Sequence, residues 1–500
     1  MTESYSFYVT AGRGTEIFVE KEIREKLKIT SVFKRDGKVF MEVSQEKLKV
    51  DQILALKSVE RAFIAITDYD NQNFITDKRT FLDKLMNEII TTNNFSKALT
   101  VLKQFHLVLT RKKCPHQNEH ATENIQPRQS NAESLNKSEK IISEGTDQCG
   151  RCMRKREGKA QDEPREIAYF PLEKRKKMES PQGTTSVDFT TAASIQKVSN
   201  NGFLNVQPSS ETLCTGINPA NLNEESRAVI ENIKSLSTFR VSVKCSGKVK
   251  RWLDLKRLSK DIGWRVSKRT GWIVDLQSPE LEVCVHISDA NVTAGIPLTR
   301  FPLSKREYLV DSGLRAPIAW IMCHLANIKP GEIILDPMCG KATILVEACT
   351  EFQASYIGSD CDGDQLAAAI QNVDSLRLLM NNVSLVKSDG LDMPYRDSCV
   401  DIVMCDAPFN RNHKTSIAVD EFYFKFIHEI DRVLAPQGRC VLLTKQDLKD
   451  LVISIVNGNL SDDSKIRTCR VKAPVHLSVA SINYIKLGET HASIIVLNKQ

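Results

Sequence analysis

From residue 313 onward, apolar positions follow two alternating periods. Short apolar runs, EIILD, SYIGSD, NVSLVKSD, VDIVMCD and GRCVLLT, are separated by stretches whose apolar positions recur at helical spacing. Those stretches include GLRAPIAWIMCHLANI, TILVEACTEF, GDQLAAAIQNVDSLRLL, YFKFIHEIDRVL and KQDLKDLVISIV, and ASIIVLNK closes the series as a strand. This βα rhythm predicts a mostly parallel sheet with helices on both faces. Ligands of such sheets bind beyond the carboxyl ends of the strands, where the strand order reverses.

Upstream the pattern is looser. Over residues 1–110, SFYVTA, TEIFVEKEIREKL, VFMEV, AFIAITDY, FLDKLMNEII and FHLVLT read as a small α/β unit. Between 111 and 232 the periodicity vanishes. Ser, Asn, Gln, Glu and Lys dominate there and aromatics are scarce, which predicts a disordered insertion. Order resumes over 233–300, where strands FRVSVKC, GWIVDL and LEVCVHI accompany a basic segment. That segment carries Lys248, Lys250, Arg251, Lys256, Arg257, Lys260, Arg265, Lys268 and Arg269, with Trp252, Trp264 and Trp272 interleaved. Lysine and arginine neutralise phosphates and tryptophan offers a stacking face, so RNA binding is one reading. An amphipathic helix with tryptophans in the core is the other. The density of charge favours the first, while each tryptophan taken singly favours the second.

A chain of 500 residues with 41% apolar content exceeds one core and suits about three domains. Its net charge of +7 is modest, so a nucleic-acid surface has to be local. No N-terminal apolar leader is present, nor any uncharged apolar run of about 18 residues, which points to an intracellular protein without a membrane partner. The 14 cysteines are scattered, many inside apolar runs, as reduced core thiols are. CGRC (Cys149–Cys152) is a single CxxC without a second pair, a weak metal signal. KRKK (Lys174–Lys177) reads equally as a nuclear localisation signal or a solvated charge run.

Four strand ends carry the candidate chemistry. LDPMCGKAT (Leu335–Thr343) turns sharply into a helix, with Gly340 allowing close backbone approach and Thr343 placed to cap the helix. The next strand ends in GSDCD with Asp360 and Asp362, the third in SDG with Asp389, and the fourth in CDAPFN. An acid about 20 residues after a glycine turn suits ribose hydroxyls. A dinucleotide fold would show GxGxxG at the first turn. Here Asp336 would repel a pyrophosphate, and suits instead a cationic cofactor with an amino group, such as S-adenosylmethionine.

DPMCGKATILVEA, YIGSDCDGDQL, SDG, DAPF and the lead-in PLSKREYLVDSGLRAPIAWIM resemble the class I methyltransferase domain of THUMP-domain RNA guanine-N2-methyltransferases. VSVKCSG…LEVCVHISDANVTAGIPL resembles a THUMP domain, and FYVTAGRGTEIFVEKEI that family's ferredoxin-like opening. The resemblance implies a class I Rossmann-like domain over 301–500, preceded by a ferredoxin-like segment (1–110), an insertion (111–232) and a THUMP core (233–300). It implies methyl transfer from S-adenosylmethionine to guanosine N2 in a structured RNA, a spliceosomal small nuclear RNA or a tRNA. Asp336 and Gly340 would line the methionine end, Asp360 the ribose and Asp389 the adenine amine. Asp406, Pro408 and Phe409 would form the target-base loop, without metal. A small zinc-binding methyltransferase activator protein is the implied partner, whose docking site neither LVISIV nor ASIIVL identifies. The implied location is the nucleus, with the cytoplasm as the alternative.

Two departures stand out. GKAT places Ala342 where the pattern has a second glycine, and DAPFN ends in Asn410 where glycine is expected. They favour one rival, an RNA-binding protein with a degenerate methyltransferase fold. A second rival, a protein-glutamine or DNA-adenine methyltransferase, leaves the basic, tryptophan-bearing half without a role.

Overall fold

The structure is a computed structural model that describes residues 4–70, 81, 83–85, 88, 95–102, 238–251, 253–311, 313–376, 382–408, 417–459 and 475–500. All of them belong to one compact unit. The insertion read over 111–232, with Cys149, Cys152 and Lys174–Lys177, lies outside the described residues, as do FHLVLT, Trp252, Phe409 and Asn410.

The N-terminal part supplies β1 (Ser4–Thr10), α1 (Glu16–Glu22), β2 (Val32–Arg35), β3 (Lys38–Ser44), α2 (Val50–Leu54) and β4 (Arg61–Asp70). After the insertion come β5 (Thr238–Cys245), α3 (Leu255–Thr270), β6 (Ile273–Val274), β7 (Leu281–Ile287) and β8 (Asn291–Pro297). The two segments, read separately in the sequence, share one eight-stranded sheet of order β2-β3-β1-β4-β8-β7-β5-β6. The joint is the antiparallel pairing of β4 with β8. Strict alternation makes this possible. In β7, LEVCVHI, every second residue from Leu281 to Ile287 is buried, so one face of the strand feeds a core shared by both segments.

The second sheet holds β9 (Ile333–Asp336), β10 (Ser355–Asp360), β11 (Val383–Lys387), β12 (Val400–Asp406), β13 (Leu434–Lys445), β14 (Leu477–Leu487) and β15 (Thr490–Lys499). Its order is β11-β10-β9-β12-β13-β15-β14, parallel except for β15, which runs antiparallel between β13 and β14. Helices α4 (Ala316–Ala326), α5 (Thr343–Cys349) and α6 (Gly363–Ser375) pack on one face, and α7 (Val419–Val433) and α8 (Lys449–Val456) on the other. β12 reads as a nearly continuous apolar run because both of its faces are covered. β14 escapes a period-two search because a bulge between Val479 and Ser481 resets its alternation.

The connector between the sheets is anchored by a buried ion pair. Arg306 donates to Glu347 Oε1 at 3.1 Å, and Tyr308 donates to the same oxygen at 2.8 Å. Lys57 from the first sheet's half donates in turn to Tyr308 at 2.8 Å. No helix among the described residues is long and apolar enough to cross a membrane.

Candidate active site

Strand order reverses between β9 and β12, which are neighbours. Gly358 of β10 lies opposite Asp336, and Val403 of β12 opposite Leu335. Because side chains alternate along a strand, Asp360 and Asp406 point to the same face as Asp336 and overhang it on both flanks. The register thus gathers three of the predicted acids at the switch point.

Neither the Asp336 nor the Asp406 carboxyl is held down by a positive charge among the described residues. Burial drives the Asp336 carboxyl well above the ordinary range, and the charges of Asp406 and Asp360 push it further. Burial alone raises Asp406 to about 7. Among the described residues, no group hydrogen-bonds the Asp406 carboxylate. Asp336 accepts from the Met338 amide at 3.3 Å, a long bond. A cation entering between these acids gains attraction from each, and a phosphate is repelled.

Asp360 has a second task. Its Oδ2 accepts the Gly340 amide at 2.8 Å and its Oδ1 the Asp362 amide at 2.9 Å, so it ties the turn after β9 to the exit of β10. The Cys339 amide also donates to Ser359 O at 2.9 Å. Gly358 permits this closeness, since a Cβ there would meet Leu345 and Leu385 at 2.8 Å. Asp389 caps its own turn by accepting the Leu391 amide at 2.9 Å, and Gly390 packs under Pro337 O and Met338. Pro408 follows β12 after Ala407, whose amide donates to Leu443 O at 3.0 Å.

Thr343 does not cap α5. The N-cap is Ala342, without a side-chain cap bond, and Thr343 is the first helical residue. A residue already in helical conformation cannot fold its hydroxyl back over the first amides, and Thr343 Oγ1 instead accepts the Gly313 amide at 3.2 Å. The departure at Ala342 falls on a demanding position: φ is 59° and ψ 26°, with the side chain fully buried. A left-handed conformation costs a residue bearing a Cβ about 1 kcal/mol or more. Asn372, which the sequence reading passed over, sits under this turn.

The basic segment splits by face. Leu258, Ile262 and Val266 form a buried stripe at four-residue spacing on α3, and Trp272 lies in the core against Phe239. Trp264 is on the opposite side, 61% exposed, with Lys268 Nζ 5.0 Å from the ring centroid. Lys256, Lys260, Arg265 and Lys268 surround it on the exposed face. Asp254 caps the helix through the Lys256 and Arg257 amides. The core reading therefore holds for Trp272, while the Trp264 ring is open to solvent.

The family model that matches is described as an RMKL-like methyltransferase domain and covers residues 304–455. Over 448 residues the chain is 30% identical to the U6 snRNA (guanine-N(2))-methyltransferase THUMPD2 of Bos taurus, spanning 88% of this chain and 78% of the bovine protein. To the tRNA (guanine(6)-N(2))-methyltransferase THUMP3 of Mus musculus it is 26% identical, spanning 90% and 83%. Among solved structures, TrmN from Thermus thermophilus has a TM-score of 0.56 at 14% identity over 100% of both chains. SMU.472, solved in complex with SAH, has a TM-score of 0.56 at 12% identity over 100% of this chain and 99% of its own. At such identities the two structures speak for the fold.

Proposed function

Since the chain belongs to the family of THUMP-domain RNA guanine-N2-methyltransferases, we propose that it methylates N2 of a guanosine in a structured RNA. The reading is carried by one observation: three carboxylates converge at the switch point, and one of them, Asp406, has no hydrogen-bond partner among the described residues. The relatives named above act on U6 snRNA and tRNA, and a small nuclear RNA is the proposed substrate here. A nuclear location goes with it.

Bound at this site, S-adenosylmethionine supplies a sulfonium methyl group. Asp336 and the Gly340 turn would hold the cationic methionine end, Asp360 the ribose and Asp389 the adenine amine. Asp406 and the carbonyl presented by the Pro408 loop accept the two N–H bonds of the target amine. That interaction turns the nitrogen lone pair, otherwise delocalised into the ring, toward the methyl group. Methyl transfer would leave the nitrogen acidic, and Asp406 would take its proton. A carboxyl whose pKa is about 7 is matched to that task. Phe409 stacks on the extruded base. The outer face of α3, with Trp264 among lysines, engages the RNA away from the reacting base.

A small zinc-binding activator is the proposed partner, and β11 its docking edge. LVISIV forms a helix and ASIIVL lies inside β15, so neither offers a free edge. At the far edge, Lys486 of β14 donates its amide to Arg13 O at 2.8 Å. β11 pairs with β10 on one side and with no strand on the other among the described residues. An extended segment adds there by main-chain hydrogen bonding.

The rival, RNA binding without catalysis, draws on the buried left-handed Ala342. Calorimetry with S-adenosylhomocysteine, alone and with the activator, separates the two. Binding together with transfer of labelled methyl to structured RNA supports the enzyme, and no binding in either case overturns it.

A further inference from the structure

Asn372 lies on α6, 29 positions beyond the start of α5, and its side chain is completely buried. Its Oδ1 accepts the Val310 and Asp311 amides at 2.9 and 3.1 Å. Its Nδ2 donates to Asp311 O at 2.6 Å and Lys341 O at 2.8 Å. Two acceptor sites and two N–H groups are all that a carboxamide has, so its capacity is filled. The partners also fix its orientation: two amides face one end and two carbonyls the other, and a flipped carboxamide would oppose all four.

The partners are telling. Val310 and Asp311 belong to the connector between the two sheets, and Lys341 to the cofactor turn. Two more contacts run in parallel, from the Gly313 amide to Thr343 Oγ1 at 3.2 Å and from Lys341 Nζ to Asp311 at 2.5 Å. Ser375, one turn further along α6, donates to Tyr308 O at 2.6 Å.

The peptide joining Lys341 and Ala342 is thereby held at both ends. Its oxygen is bound by Asn372, and its N–H donates to Cys339 O at 2.7 Å. Rotation of that peptide is the direct way for Ala342 to leave its left-handed conformation, and rotation would break both bonds. Glycine at this position has no such tendency to leave.

Resting on the reading of Asp336–Ala342 as the cofactor turn, we propose that Asn372 is a positioning residue of the cofactor site. It clamps the connector to the turn and keeps the Lys341–Ala342 peptide in the orientation that Ala342 by itself disfavours. It does not touch the cofactor, and acts through the backbone of its neighbours.

A double-mutant cycle read by calorimetry with S-adenosylhomocysteine tests this in the full chain. Asn372→Ala weakens binding about tenfold or more when Ala342 is present, and by about threefold or less in combination with Ala342→Gly. A merely structural asparagine lowers thermal stability and affinity equally in both backgrounds, and equal losses overturn the proposal. If Asn372→Ala does not yield folded protein, Asn372→Ser in the same two backgrounds decides by the same criterion. Wild-type protein that binds no S-adenosylhomocysteine overturns the site reading and the proposal together. Wild-type binding with additive losses overturns the proposal alone.

Discussion

The exits of β9 and β12 are neighbours in one sheet and end in the same residue type, yet they are built in opposite ways. Beyond β9, nearly every group of the turn is spoken for: Asp360 holds the Gly340 amide, Ser359 the Cys339 amide, and Asn372 the Lys341 carbonyl. Beyond β12, the Asp406 carboxylate is largely desolvated and hydrogen-bonded to nothing among the described residues, with its pKa raised to about 7. A turn that binds a cofactor gains from being rigid beforehand, since ordering it later subtracts from affinity. A group that accepts an N–H bond from the substrate gains from having none to break. On the proposed reading, the contrast separates a prepared cofactor site from a target site that is completed by its base.

The largest expected effect comes from removing the unpartnered acceptor. Asp406→Ala lowers kcat for RNA methylation by about 100- to 1,000-fold, with S-adenosylhomocysteine affinity unchanged within about threefold. A parallel loss of cofactor affinity would erase the proposed separation. Next is the prepared side. Asp360→Ala frees two amides and removes the ribose acceptor, and weakens S-adenosylhomocysteine binding by about 10- to 100-fold in calorimetry.

Acidity sharpens the contrast further. Asp406 has to be ionised to take the amine's proton, so kcat/KM rises with pH through about 7 and levels off above. Stability runs the other way. The pKa of Asp406 is raised from 3.8 to about 7 in the folded chain, so the stability this site contributes is full in acid and is lost as pH rises through about 7. Asp406→Asn removes that loss. Its melting temperature, compared with wild type by differential scanning calorimetry, gains more at pH 8 than at pH 5.5. Among the described residues, Asp336, Asp360, Cys339, Cys405 and Tyr423 are titratable groups around this corner, and none of these supplies a positive charge. The smallest effect is expected on the far RNA surface. Trp264→Ala weakens RNA binding by about 5- to 10-fold, the worth of one stacked base, while kcat at saturating RNA stays unchanged.

Much of the second sheet was legible because its central parallel strands are nearly continuous apolar runs, and the exits of β9, β10, β11 and β12 carry acids. Asp336, Asp360, Asp389 and Asp406 could be placed at strand exits from the sequence, and the register puts the first, second and fourth on one face. Other features depend on contacts that no local pattern carries. Asn372 meets Asp311 from 61 positions away, inside a helix where a polar residue looks like an exposed one. The merging of residues 1–110 and 233–300 into one sheet rests on β4 and β8, which are separated by the whole insertion. β14 was hidden by its bulge. The outward face of Trp264, by contrast, was available in the sequence. It stands two residues from Ile262 in a stripe of four-residue period, on the far side of a 3.6-residue helix.

The central claim is that Asp406 receives the amine of a guanosine. Incubation of the protein, with and without the proposed activator, with structured RNA and methyl-deuterated S-adenosylmethionine, followed by nucleoside mass spectrometry, tests it most directly. The account predicts labelled N2-methylguanosine with wild-type protein and a loss of about 100-fold or more with Asp406→Ala. Equal labelling by the two proteins, or a label carried on a different base, would contradict it.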